Sequence, residues 1–199
     1  MLNALKRRRR IKRLRELIDS NTLDLWPKLA PDLQVSHLYE PLEGNLCALE
    51  LCIERGHHTL MQQLLHRFPE LCKRPLPNGQ HLVERVLAED ASLAMLSALL
   101  GAGMNPNLDL NNRSLVELAL EQPSERAMLL INRLAQHGAS LNHPILLQRA
   151  LKQQNQALVK FMIDSGAPLV MIDESVYNEE ILAFAKRCIE DKKIRDLWA

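Results

Sequence analysis

The sequence predicts an all-α fold of repeated helical hairpins, and three observations carry that expectation. Aromatic residues make up only 4% of the 199-residue chain while leucine is abundant, a balance that favours helices over strands. Apolar residues recur at i, i+3 and i+4, which places them on one helix face. Similar segments then return at a nearly fixed period, the signature of a repeat architecture.

Residues 1–44 come first. Lys6-Arg-Arg-Arg-Arg10 with Lys12, Arg13 and Arg15 forms a basic stretch, and Leu2, Leu5, Ile11, Leu14, Leu17 and Ile18 give it one partly apolar stripe. That pattern predicts a basic amphipathic helix. Behind it the chain is interrupted by Trp26-Pro27, Ala30-Pro31 and Glu40-Pro41. Repeat arrays need end units with a polar outer face, so this segment is expected to cap the first repeat.

Residues 45–172 hold the repeats. Leu49-Glu-Leu-Cys-Ile53, Val83-Glu-Arg-Val-Leu87, Val116-Glu-Leu-Ala-Leu120 and Leu147-Gln-Arg-Ala-Leu151 follow one another at steps of 34, 33 and 31 residues. Each predicts the short first helix of a unit. A polar break follows each one. A second amphipathic run then comes at Leu60/Met61/Leu64/Leu65, Ala94/Met95/Leu99/Leu100, Leu129/Leu130/Ile131/Leu134 and Leu158/Val159/Met162/Ile163. Three of these runs lead into a glycine at Gly103, Gly138 or Gly166, and glycine past a helical run supplies the positive φ of a helix C-cap. Pro77-Asn78-Gly79 and Asn111-Asn112 read as loop tips. Residues 173–199, with Ile181, Leu182, Phe184, Ile189, Ile194 and Leu197 between charges, predict one or two C-terminal capping helices.

These residues resemble the ankyrin repeat, whose unit of about 33 residues has this helix pair and a projecting loop. Gly56-His57 is similar to the family's inter-helix Gly-His, and Ala102-Gly103, Gly138-Ala139 and Gly166-Ala167 are similar to its Gly-Ala-Asp turn. The chain departs from the family where Thr-Pro-Leu-His is replaced by His81-Leu-Val-Glu84, Ser114-Leu-Val-Glu117 and Leu146-Leu-Gln148, where Phe68 stands for the Gly, and where Gly138 and Gly166 are only 28 apart. The resemblance implies an ankyrin-like solenoid of four helix-turn-helix repeats with helical N- and C-terminal caps. Neighbouring α-helical solenoids without the ankyrin hairpin loops remain the alternative.

Composition limits the function classes. A secretory signal needs an apolar run behind its charges, and none is present near Lys6–Arg15. No stretch of about 18 apolar residues predicts a membrane-spanning helix. Cys47, Cys52, Cys72 and Cys188 lack paired spacing, so reduced core thiols and a cytoplasmic location are expected.

No catalytic, cofactor or metal site is expected. His57 and His58 are adjacent, so on a helix they diverge rather than converge on one ion. No Gly-rich phosphate loop accompanies the carboxylates. Glu50, Glu84 and Glu117 occupy one position in three units, with Gln148 in the fourth. They would form either an acidic ladder for a basic partner or a set of turn-capping carboxylates. An enzyme would need two of His57, His81 and His137 in one pocket with a carboxylate.

The resemblance instead implies a protein-binding module with no small-molecule substrate. Its contacts would come from the concave face, at the loop tips and first-helix ends: Glu54, Arg55, Asn78, Gln80, Ala88, Glu89, Asn111, Arg113, Glu121, Gln122, Gln153 and Gln154. That row predicts a polar or basic protein partner, and homo-oligomerisation stays open. Residues 1–20 carry eight Lys/Arg against Glu16 and Asp19, a local +6 in a chain of net charge +1. The arm, with Arg7, Arg8, Arg9, Arg10, Lys12 and Arg13, either packs with its charges solvated, contacts nucleic acid or anionic membrane, or in a eukaryote directs nuclear import. The lack of aromatic partners argues against single-stranded nucleic acid.

Overall fold

The computed structural model describes residues 2–88, 93–169 and 174–198. The fold is all-α: 67% of it is helix, and among the described residues strand is confined to one two-residue pair and isolated bridges. It divides into two compact units, Met1–Asn105 and Pro106–Ala199. The division falls inside the predicted repeat segment, after the second helix pair.

The first unit opens with α1 (Leu2–Ser20). Leu14, Leu17 and Ile18 are fully buried, at the i, i+3, i+4 spacing that turns one face inward. That face packs on α2 (Trp26–Leu29), α3 (Val35–Leu38) and α4 (Ala48–Glu54). Pro27 lies in the first turn of α2, where its missing N–H costs no helical bond. His37 of α3 is 3% exposed, and its Nδ1 accepts from the Gln34 backbone N–H at 3.0 Å.

Burial, reinforced by Arg10 and Arg7 and opposed by Glu40, holds His37 below its ordinary pKa of 6.5. A histidine whose folded pKa is depressed stabilises the fold above its unfolded pKa and loses that contribution as pH falls through 6.5. Thermal unfolding between pH 8 and 5 is expected to show a midpoint that drops toward acid, with a flatter profile in His37→Gln.

Two helix pairs complete this unit. The first is α4 with α5 (His58–Arg67), the second α6 (Leu82–Ala88) with α7 (Leu93–Gly101). α4 packs on α6, and α5 on α7. Leu49, Leu64, Leu65, Leu87 and Leu99 are all at most 1% exposed, so the predicted apolar runs are core. Where Phe68 replaces the expected glycine, the backbone leaves α5 with φ −134° and enters a 3₁₀ turn at Pro69–Cys72.

The second unit begins with an antiparallel pair, β1 (Asp109–Leu110) and β2 (Arg113–Ser114). It continues with α8 (Leu115–Ala119), α9 (Ser124–Gln136), α10 (Pro144–Lys152), α11 (Gln156–Asp164) and one C-terminal helix, α12 (Glu179–Leu197). α11 packs on α9, α10 and α12. From α12, Ile181, Leu182, Ala185 and Cys188 are buried. Ile194 and Leu197, predicted to help cap the array, are instead 56% and 82% exposed.

The glycine stops have a common geometry. Gly138 N–H donates to Ala135 O at 2.9 Å and Ala139 N–H reaches back to Leu134 O at 3.0 Å, the paired bonds of a Schellman cap. Gly166 and Ala167 repeat it at the end of α11, with φ +92° and +99° at the two glycines.

The loop tips read from the sequence are turns. Asn111 and Asn112 join β1 to β2 with φ 53° and 61°, positive at both centres as in a type I′ turn. Asn112→Ala is expected to cost about 1 kcal/mol, because a Cβ without a bonding side chain is disfavoured there. Asn112→Gly should instead raise the unfolding midpoint, since Asn-Gly is the preferred pair for this turn. Comparable bridges precede two of the other first helices, Pro75 with His81 before α6 and Glu43 with Leu46 before α4.

Candidate functional site

The three repeated glutamates cap their own helices. Glu50 accepts from the Cys47 backbone N–H at 2.9 Å, Glu84 from His81 at 2.6 Å and Glu117 from Ser114 at 2.9 Å. The Ser114 hydroxyl accepts in return from Glu117 N–H at 3.2 Å, which completes a capping box. In α8, Glu117 and Ser114 thus supply both halves of the cap. Gln148 does not join the series. α10 starts at Pro144 with His143 as N-cap, and the His143-Pro144 pair starts the helix two residues early. Gln148 therefore lies beyond the first turn.

An arginine from the following repeat grips two of these glutamates. Arg85 of α6 donates to Glu50 at 2.6 Å and to Glu54 at 2.8 Å, with Glu50 only 3% exposed. Arg149 of α10 reaches Glu117 at 3.4 Å and Glu121 at 3.6 Å in a more open setting. Glu121 also takes a hydrogen bond from Arg113, and that bond, with the charges of Arg113 and Arg149, holds its carboxyl below 4.5 against partial burial. Neither arginine was singled out from the sequence. The signal was present as Glu-x-x-x-Glu in the first helices at 50/54 and 117/121, followed 35 and 32 residues after the first Glu by an arginine. In the other two first helices, α6 and α10, the second-glutamate position reads Ala88 and Lys152.

These contacts redistribute the predicted partner row. Glu54, Arg113 and Glu121 belong to the ion pairs just described. Arg55 bonds Asp19 of α1 and donates to Glu43 at 2.6 Å. Gln153 donates to Leu120 O at 2.8 Å, bridging two repeats, and Asn78 accepts from Gln80 N–H within its own turn. Glu89 lies outside the described residues. Ala88 is exposed at the end of α6. The side chains of Gln80, Asn111, Gln122 and Gln154 make no hydrogen bond or ion pair among the described residues. A further tie was not anticipated: Asn107 donates to Gly138 O at 2.9 Å and accepts from Ser140 N–H at 2.7 Å, lacing one loop to the next.

The basic helix splits by face. Arg7 donates to Glu40 at 2.6 Å, Arg10 lies 3.7 Å from Asp32 and Lys12 3.9 Å from Glu16. Lys6, Arg8, Arg9 and Arg13 are exposed and have no partner among the described residues.

The cysteines are free and buried. Burial pushes Cys52 up to about 12, and Cys47 and Cys72 up to about 11, so all three stay protonated near neutral pH. A groove of about 580 Å³ beside α12, lined by Ile163, Ala167, Ile189, Lys186 and Lys193 among others, contains no histidine or cysteine. Among the described residues no three His, Cys, Asp or Glu side chains come close enough to hold a metal ion, and no helix is long and apolar enough to cross a membrane.

No family model, curated protein or solved structure matches this chain.

Proposed function

We propose that the chain is an ankyrin-like, non-catalytic module that binds a protein partner through the loop tips and first-helix ends of its repeats. The observation that supports this reading best is the β-type turn ahead of three first helices, at 43–46, 75–81 and 109–114. Such turns distinguish ankyrin-type units from plain helical solenoids, and they lift side chains clear of the core. Gln80, Asn111, Gln122 and Gln154 are uncommitted on this edge, whereas Leu49, Val83, Val116 and Leu147 of the same units are buried. Edge side chains without structural bonds are available for recognition, because replacing them removes no internal contact.

Among the described residues, Glu54, Arg55, Arg113 and Glu121 of the predicted row are ion-paired within the fold. Arg55, Arg113 and Gln153 hold neighbouring segments together, so the partner surface is narrower and more neutral than the sequence suggests. It favours a partner that offers backbone or amide hydrogen bonds rather than a strongly basic one. The test is co-purification from the native cells with wild type and with the triple variant Gln80→Ala, Gln122→Ala, Gln154→Gly. The variant should keep the wild-type unfolding midpoint and lose the co-purifying protein at least tenfold. Undiminished recovery by the variant would contradict the proposal.

A further inference from the structure

We propose that the outer face of α1 binds the major groove of B-form duplex DNA through its phosphates, independently of the repeat surface. With about 100° per residue, Arg7 and Arg10 fall above the docked face of Leu14, Leu17 and Ile18, and it is they that find Glu40 and Asp32. Lys6 and Arg13 fall on one flank of the helix, Arg8 toward the other, and Arg9 and Lys12 on the outermost side between them. The protein supplies carboxylates to the docked side and leaves Lys6, Arg8, Arg9 and Arg13 without any among the described residues.

This arrangement works against the helix. Lys6/Arg10, Arg8/Lys12 and Arg9/Arg13 are like charges at i, i+4, and each pair disfavours the helical state. Nothing in the packing requires them. An anionic ligand on both flanks relieves all three pairs. Lys28 of α2 extends the positive flank, since it lines a groove of about 280 Å³ with Arg13, Leu25, Leu29 and one carboxylate, Glu16.

The distribution of charge selects the ligand. A lipid surface meets one side of a helix and needs an apolar face to enter it. On residues 5–13 the one exposed large apolar side chain is Leu5, at 57%. A B-form major groove, roughly 12 Å wide, admits a helix and places a phosphate strand along each flank. The exposed segment of about nine residues rises roughly 13 Å, enough to lie across that groove. The deep, narrow major groove of A-form RNA excludes it. No residue here is assigned to base reading, so binding is sequence-independent.

The experiment is fluorescence anisotropy of a labelled 20-base-pair DNA duplex of mixed sequence, titrated with the full chain from 50 to 200 mM KCl. Four neutralised phosphates give a slope of log K against log salt of about −3.6, or roughly 150-fold weaker binding over that range. The variant Lys6→Gln, Arg8→Gln, Arg9→Gln, Arg13→Gln leaves Leu14, Leu17 and Ile18 in place, and circular dichroism checks that it folds. Its slope should fall to about −1 or less. The inference is overturned by absence of binding at 50 mM, by equal binding of the variant, by equal affinity for an RNA duplex of the same length, or by binding to phosphatidylserine vesicles but not to DNA.

Discussion

Arg85→Ala is expected to cost about 3 to 5 kcal/mol of unfolding free energy, the largest effect of any surface-reaching substitution in this chain. The reason is the asymmetry of buried ion pairs. Glu50 is 3% exposed, and with Arg85 gone its carboxylate keeps the Cys47 N–H but loses its charge partner at 2.6 Å. Removing both charges removes the penalty, so Glu50→Gln with Arg85→Leu should recover most of the loss. Arg149→Ala is the internal control. Arg149 is about one third exposed and its carboxylate contacts are 3.4 and 3.6 Å, so its loss should cost no more than about 1 kcal/mol. Urea unfolding of the three variants against wild type gives the comparison. Equal costs for Arg85→Ala and Arg149→Ala would show that burial of the glutamate is not what matters.

Leu17→Ala is the second large effect, expected at about 2 to 5 kcal/mol. Leu17 is fully buried between Leu14 and Ile18 on the face of α1 that meets α2, α3 and α4. Truncation leaves a void and weakens the cover over the first repeat. Amide hydrogen exchange should therefore quicken in α1 and α4 before it does in α7. Leu5→Ala, at 57% exposure, should change nothing measurable. If Leu17→Ala were equally silent, α1 would be an appended arm rather than a cap. Deletion of residues 1–15 mixes these roles, because it removes Leu14 together with the cations; charge substitution separates them.

The helix pairs were legible because burial imposes a period. Leu49, Val83, Val116 and Leu147 face inward at nearly equal steps, and the second-helix runs do the same. Gly138 and Gly166 were legible because a positive φ leaves few alternatives to glycine. The β1–β2 turn showed itself as Asn111-Asn112 for the same reason. Two features escaped. The early start of α10 lies in His143-Pro144, a local capping preference that shifts the helix start by two residues without disturbing the apolar spacing. The Arg85 and Arg149 contacts link residues 28 to 35 positions apart, and charge pairing between helix pairs leaves no periodic trace within any one helix. Position along the helix pairs likewise marks this edge in the sequence, but not which of its side chains bond internally, as Arg55 does to Asp19 and Gln153 to Leu120.

The central claim, that the loop and turn edge of the repeats contacts a protein, is tested most directly by site-specific photocrosslinking in the native cells. A benzoylphenylalanine at Asn78 or Gln122, on that edge, is expected to trap one and the same protein. The same probe at the exposed positions Gln62 of α5 and Asn132 of α9 should trap none. Crosslinks confined to Gln62 and Asn132, or their absence at all four positions, would contradict the claim.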